Sequence, residues 1–143
     1  MIAYIDSSVL MRVVLREPDA LAEWGALAHG VTSVITKIES HRAIDRLWHH
    51  EQLSEDDVAE KRLILSAFLP RFDIRDLDAA VIEIASKPLP VPLRTLDAIH
   101  LATAMLYRRM QPPDERPIVF ATHDVALARA AAAMHFEVIG VSH

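Results

Sequence analysis

The chain has no cysteine, which excludes a disulfide framework, a thiolate nucleophile and a sulfur-ligated zinc site. Only three glycines occur, Gly25, Gly30 and Gly140, so neither a phosphate-binding loop nor a G-x-G-x-x-G dinucleotide fingerprint can be built. ATPases, GTPases and Rossmann dehydrogenases are excluded on that ground. Long apolar runs are also missing: the greasiest stretch, Ala98 to Tyr107, contains His100 and Thr103 and is about half a membrane span. Met1 leads directly into a short apolar stretch ending at Asp6, with no basic leader, and the expectation is a soluble, cytoplasmic protein that makes no membrane contact. Excess positive charge is absent too. A net charge of −5 argues against bulk electrostatic capture of nucleic acid. Arginine outnumbers lysine twelve to three, and arginine suits bidentate phosphate contacts, although a compositional bias gives the same ratio.

What is present is an ordinary globular composition, 52% hydrophobic and 24% charged over 143 residues, read as one domain spanning 1–143. No repeat or low-complexity tract divides it. The connector Lys87-Pro88-Leu89-Pro90-Val91-Pro92 is stiff but too short to be a linker, and Gln111-Pro112-Pro113-Asp114 separates a helix from a strand. Apolar runs with β-branched residues predict strands at Ile2–Ile5, Thr32–Ile35, Phe72–Ile74, Ile118–Ala121 and Phe136–Val141. Helical patterns lie between them at Ser7–Leu15, Pro18–Ala28, Lys37–His50, Ser54 to Phe68, Asp78–Ser86, Leu96–Arg109 and Val125–His135. Strands alternating with helices imply a three-layer α/β/α domain on a mainly parallel five-stranded sheet.

In such a sheet ligands collect at the carboxyl ends of the strands. Four acids sit at those junctions: Asp6 after the first strand, Glu39 after the second, Asp124 after the fourth, and Asp97 in the first turn of a late helix. Each has a structural explanation. Glu39 can close a capping box with Thr36, Asp124 can cap a helix, and Asp97 can complement a helix dipole. Asp6 is harder to dismiss, because it ends a strand buried on both faces, where Ser7 or Ser8 could supply the cap. Taken together, four converging carboxylates without cationic partners repel one another, and a hard Mg²⁺ or Mn²⁺ ion resolves the conflict. Such an ion activates water and neutralises charge on a phosphoryl group, which points to metal-dependent phosphodiester hydrolysis.

The stretches Ile5-Asp6-Ser7-Ser8-Val9-Leu10, Thr36-Lys37-Ile38-Glu39-Ser40-His41-Arg42-Ala43, Leu93-Arg94-Thr95-Leu96-Asp97-Ala98-Ile99-His100-Leu101-Ala102 and Ala121-Thr122-His123-Asp124-Val125-Ala126-Leu127 resemble, in order and spacing, the PIN-domain ribonucleases, and among them the VapC-type toxins of toxin–antitoxin pairs. The resemblance covers Met1 to about Val141, and the L-D-A-I-H-L-A stretch is its most specific part. It implies a PIN-like α/β/α fold that binds Mg²⁺ or Mn²⁺ and cleaves RNA. By motif, Asp6, Glu39, Asp97 and Asp124 are its metal-binding and catalytic acids. Asp6 and Asp97 are then the most direct ligands, and Glu39 and Asp124 hold waters, one of which attacks the phosphate in line. Ser8 and Thr122 match hydroxyl positions that support the cluster. It further implies a homodimer silenced by a VapB-type antitoxin laid over the active site. The rival reading is a PIN-like interaction module without catalysis. A haloacid-dehalogenase-like phosphatase ranks lower, since Ser8 stands where that chemistry wants a second aspartate.

Other polar residues carry weaker signals. His123 is read as structural, and His41, His49 and His50 as a solvated helix end. His100, three residues after Asp97, suits a hydrogen bond to it or simple packing. Arg42 and Arg46 share a helix face, where either RNA backbone contacts or a salt bridge with Asp45 accounts for them. Trp24 and Trp48 are read as helix-packing aromatics, with a dimer or antitoxin surface as one place for them, ahead of base stacking.

Overall fold

The computed structural model describes residues 1–113 and 117–142. Five strands, β1 (Ile2–Ile5), β2 (His29–Ser33), β3 (Phe72–Arg75), β4 (Ile118–Ala121) and β5 (Glu137–Ile139), form one sheet in the order β3-β2-β1-β4-β5. Every neighbouring pair is parallel. Six helices connect them: α1 (Ser7–Val14), α2 (Val34–His49), α3 (Glu55–Phe68), α4 (Ala79–Ala85), α5 (Thr95–Met110) and α6 (Val125–Ala133).

Alternation along the central strands assigns the two layers. Tyr4, Ile118 and Phe120 join Leu101, Ala104, Leu127 and Ala131 of α5 and α6 in one core. Ala3, Ile5, Val119 and Ala121 point the other way, toward Val9 of α1. Beside them Leu10, Val14, Ile44 and Leu65 pack α1, α2 and α3 together. β1 and β4 are thus buried on both faces, which explains their unbroken apolar sequence.

Three expectations need correction. The segment Pro18–Ala28 is not an α-helix; the chain turns at Arg16 (φ 55°), and only Trp24–Ala26 forms a short 3₁₀ turn. Burial of Leu21 and packing of Trp24 against Phe68 and Phe72 outweigh helix propensity there. The second strand lies three residues earlier than Thr32–Ile35 at its start and stops at Ser33, whose hydroxyl oxygen accepts from the Ile35 amide and begins α2. Thr36 therefore lies inside the helix, and its capping box with Glu39 does not exist. The remaining elements agree to within about three residues at their ends. The proline-rich connector 87–92 has no regular structure, and Leu89 and Val91 anchor it on the α5 side of the core. Asp114, in the second proline-rich break, lies outside the described residues.

Candidate active site

The chain winds outward from β1 in one direction through β2 and β3, and from β4 in the other through β5. The crevice where the winding reverses lies between the carboxyl ends of β1 and β4. Asp6 leaves β1 at that point and is 3% exposed. It is itself the N-cap of α1, so neither Ser7 nor Ser8 is. Asp6 Oδ1 accepts from Ser8 Oγ at 2.6 Å and from the Val9 amide at 3.2 Å, and Oδ2 accepts from Thr122 Oγ1 at 2.6 Å. These donors are all neutral.

The exit of β4 is tied into the same network. Thr122 Oγ1 accepts from the Asp124 amide at 3.0 Å while donating to Asp6, and Ser8 Oγ accepts from the His123 amide at 3.0 Å. Asp124 caps α6 through the Leu127 amide, at 2.8 Å, which matches the structural role foreseen for it. His123 spends Nδ1 on the Gly140 carbonyl at 2.6 Å, a structural contact with the end of β5.

Asp97 lies in the first turn of α5 and is partly buried. Its carboxyl titrates above the usual aspartate range. Burial is the main cause, the charge of Asp124 comes next, and that of Asp6 adds to it; Arg94 and His100 oppose the shift. Arg94 is 88% exposed and its Nε stands 3.8 Å from Asp97 Oδ2, too solvated to neutralise it. Glu39 sits in the second turn of α2 and shares a hollow with Asp97, Arg94 and Leu96. On its other side Glu39 borders a groove formed by Ile38, Arg42, Arg46 and Leu96.

Glu39 Oε1 lies 2.6 Å from His100 Nε2, and His100 Nδ1 lies 2.7 Å from the Tyr4 hydroxyl. Helix spacing points His100 toward Asp97 on its own helix, and the structure gives it Glu39 of α2 instead. Arg42, His49 and His50 agree with a solvated helix face, but His41 does not: it is partly buried in the middle of α2, and its Nδ1 is enclosed without a hydrogen-bond partner among the described residues. Arg42 pairs with Asp45 at 3.2 Å, and His49 Nε2 lies 3.5 Å from the same carboxylate. Trp48 is 41% exposed and packs beside His49 on the surface of α2.

The donor set at this edge consists of carboxylate and hydroxyl oxygens, the chemistry a hard divalent cation selects. Among the described residues no three Asp, Glu or His side chains converge closely enough to grip an ion unaided.

A family model for the PIN domain matches residues 3–133. The chain belongs to the PIN-domain family. Two curated relatives come from Mycobacterium tuberculosis. Ribonuclease VapC46 is 36% identical over 104 residues, covering 71% of this chain and 72% of its own. Ribonuclease VapC35 is 33% identical over 142 residues, covering 95% of this chain and 94% of its own. Among solved structures, FitAcB from Neisseria gonorrhoeae superposes with a TM-score of 0.70 at 20% identity, covering 97% of this chain and 96% of that one. VapBC2 from Rickettsia felis, bound to a DNA fragment from its promoter, gives 0.68 at 13% identity over the whole of both chains. At such identities these two speak for the PIN fold of this chain. Among the described residues no helix is long and apolar enough to cross a membrane.

Proposed function

We propose that this PIN-domain protein is a metal-dependent endoribonuclease, and that it is the toxin of a VapBC-type pair. The observation that carries the reading is Asp97. Its carboxyl is pushed toward the neutral form by burial and by the charges of Asp124 and Asp6, at an edge whose buried member, Asp6, receives only neutral donors. Repulsion among fixed carboxylates is a cost that a divalent ion converts into affinity. The names of the curated relatives, Ribonuclease VapC46 and Ribonuclease VapC35, support ribonuclease chemistry and the VapC half of a pair, whose partner would be a VapB-type antitoxin.

Asp6, Glu39, Asp97 and Asp124 would hold Mg²⁺ or Mn²⁺, which supplies an activated water and offsets charge on the scissile phosphate. Asp6 is the fixed point of the set, since three donors orient it before any ion arrives. Ser8 and Thr122 hold that orientation. Asp97, partly exposed and pushed toward its neutral form mainly by burial, would gain from the ion the counter-charge it lacks. Asp124 keeps one oxygen on the Leu127 amide and leaves the other for the site. Glu39, on the adjoining helix, borders the groove with Arg42 and Arg46, where an RNA backbone would approach. A homodimer in the cytoplasm completes the reading.

The test is incubation of purified, partner-free protein with single-stranded and transfer RNA in Mn²⁺, Mg²⁺ or EDTA, beside Asp6→Asn and Asp97→Asn. Metal-dependent cleavage that disappears in both variants is expected. Folded protein that neither binds Mn²⁺ nor cuts RNA would turn the reading toward an interaction module.

A further inference from the structure

The roles given above leave one buried side chain of α5 unused. His100 is 1% exposed and stands between two groups, Tyr4 at 2.7 Å from Nδ1 and Glu39 at 2.6 Å from Nε2. Tyr4 is fully buried on β1, and its ring meets the imidazole edge-on at 5.9 Å. The three residues connect the central strand, α5 and α2 in one line that ends at the acidic edge.

The direction of the hydrogen bonds follows from donor and acceptor capacity. An ordinary phenol carries its proton at neutral pH and can donate it to a ring nitrogen. The phenol O–H donates to Nδ1, which must then carry a lone pair. The ring proton therefore sits on Nε2 and is donated to Glu39, whose ionised carboxylate can only accept. Glutamate has three rotatable side-chain bonds and, alone on a helix flank, would sample many positions.

We propose that Tyr4 and His100 form a positioning device: the Nε2–H of His100 pins Glu39 Oε1, Tyr4 fixes the tautomer that allows it, and Glu39 Oε2 is thereby kept for the ion at the acidic edge. His100 touches no reacting atom; it acts through Glu39. The inference rests on the nuclease reading for its kinetic consequence only, because ion binding and tautomer state are measurable without RNA.

The experiment compares wild type with His100→Ala, His100→Gln and Tyr4→Phe, each checked for cooperative melting. Mn²⁺ affinity is measured by calorimetry, RNA cleavage by steady-state kinetics, and the His100 tautomer by ¹⁵N NMR. His100→Ala is expected to lower Mn²⁺ affinity or kcat by about 10–100-fold with the RNA KM unchanged. His100→Gln, whose amide N–H can reach Glu39, should recover most of that loss. Tyr4→Phe preserves packing and should let the proton distribute over both ring nitrogens, with a smaller loss of affinity. Folded His100→Ala with wild-type Mn²⁺ affinity and kcat would overturn the proposal. Should His100→Ala not fold, Tyr4→Phe decides: an unchanged tautomer with unchanged Mn²⁺ affinity overturns it. Wild type that binds Mn²⁺ yet cuts no RNA removes the nuclease reading and leaves the binding comparison to decide the relay.

Discussion

Thr122 Oγ1 donates to Asp6 Oδ2 at 2.6 Å across 116 positions of sequence, and this bond fastens the exit of β4 to the exit of β1. The same oxygen accepts from the Asp124 amide, so one hydroxyl orients two of the four acids. Thr122→Val keeps the shape and deletes both bonds. It should cost about 1–3 kcal/mol in urea unfolding, because a buried carboxylate oxygen and an amide lose partners. Mn²⁺ affinity or cleavage should fall by about 10–100-fold, and Thr122→Ser should restore most of it.

Asp97 offers a second measurement. Its pKa is raised in the folded protein, so the stability tied to its proton is fully present below the ordinary aspartate range. That stability is lost as pH rises through the elevated folded value. At pH 7 in EDTA the charged side chain is therefore a burden, and Asp97→Asn should melt at a higher temperature than wild type. Saturating Mn²⁺ should raise the wild-type melting temperature and leave the variant nearly unmoved. A variant that melts lower in EDTA would contradict the repulsion inferred at this edge.

The start of α3 gives the opposite sign. Ser54 and Asp57 form a reciprocal capping box, and the Ser54 backbone amide, with its hydroxyl, holds the Asp57 carboxyl below its usual range. The stability this provides is present above the ordinary aspartate pKa and is lost as pH falls through the depressed folded value. Asp57→Ala should lower the melting temperature at pH 7, with the gap to wild type closing in acid. Activity at pH 7 should not change, since α3 contributes nothing to the acidic edge.

Gly140 adopts φ 101°, and a Cβ there would lie 2.4 Å from the Thr122 carbonyl oxygen. Both the backbone angle and the close approach disfavour a side chain. Gly140→Ala should destabilise by about 1–3 kcal/mol, measurable by denaturant unfolding. Because the clash falls on Thr122, cleavage should drop as well, although Gly140 itself carries no functional group.

Much of this was legible in the sequence for reasons the structure makes concrete. Ile2–Ile5 and Ile118–Ala121 are short, apolar and bounded by Asp6 and Thr122, and they are the two central strands. Asp6, Ser8, Thr122 and Asp124 adjoin those strands, so a correct strand assignment brings them together. The boundary at Thr32–Ile35 was not legible, since β-branched residues continue from the strand into the first turn of α2. Ser33 ends the strand only because its hydroxyl oxygen accepts from a backbone amide two residues on. Thr36 looked like a cap but lies buried, its Oγ1 2.7 Å from Thr32 Oγ1. His100 kept its secret for a different reason: its partners lie 96 and 61 positions away, and helix spacing reports only neighbours on the same helix.

The strand order has a consequence for synthesis. β1 emerges first yet occupies the middle of the sheet, with β2 on one side and β4 on the other. The β4 side stays bare until Thr122 is made, 116 residues after Asp6. At ordinary elongation rates that delay is roughly 5–25 s. During it the acidic edge is still in two pieces, with Asp6 made and Thr122 and Asp124 yet to come. Only when the last strands dock does the edge close.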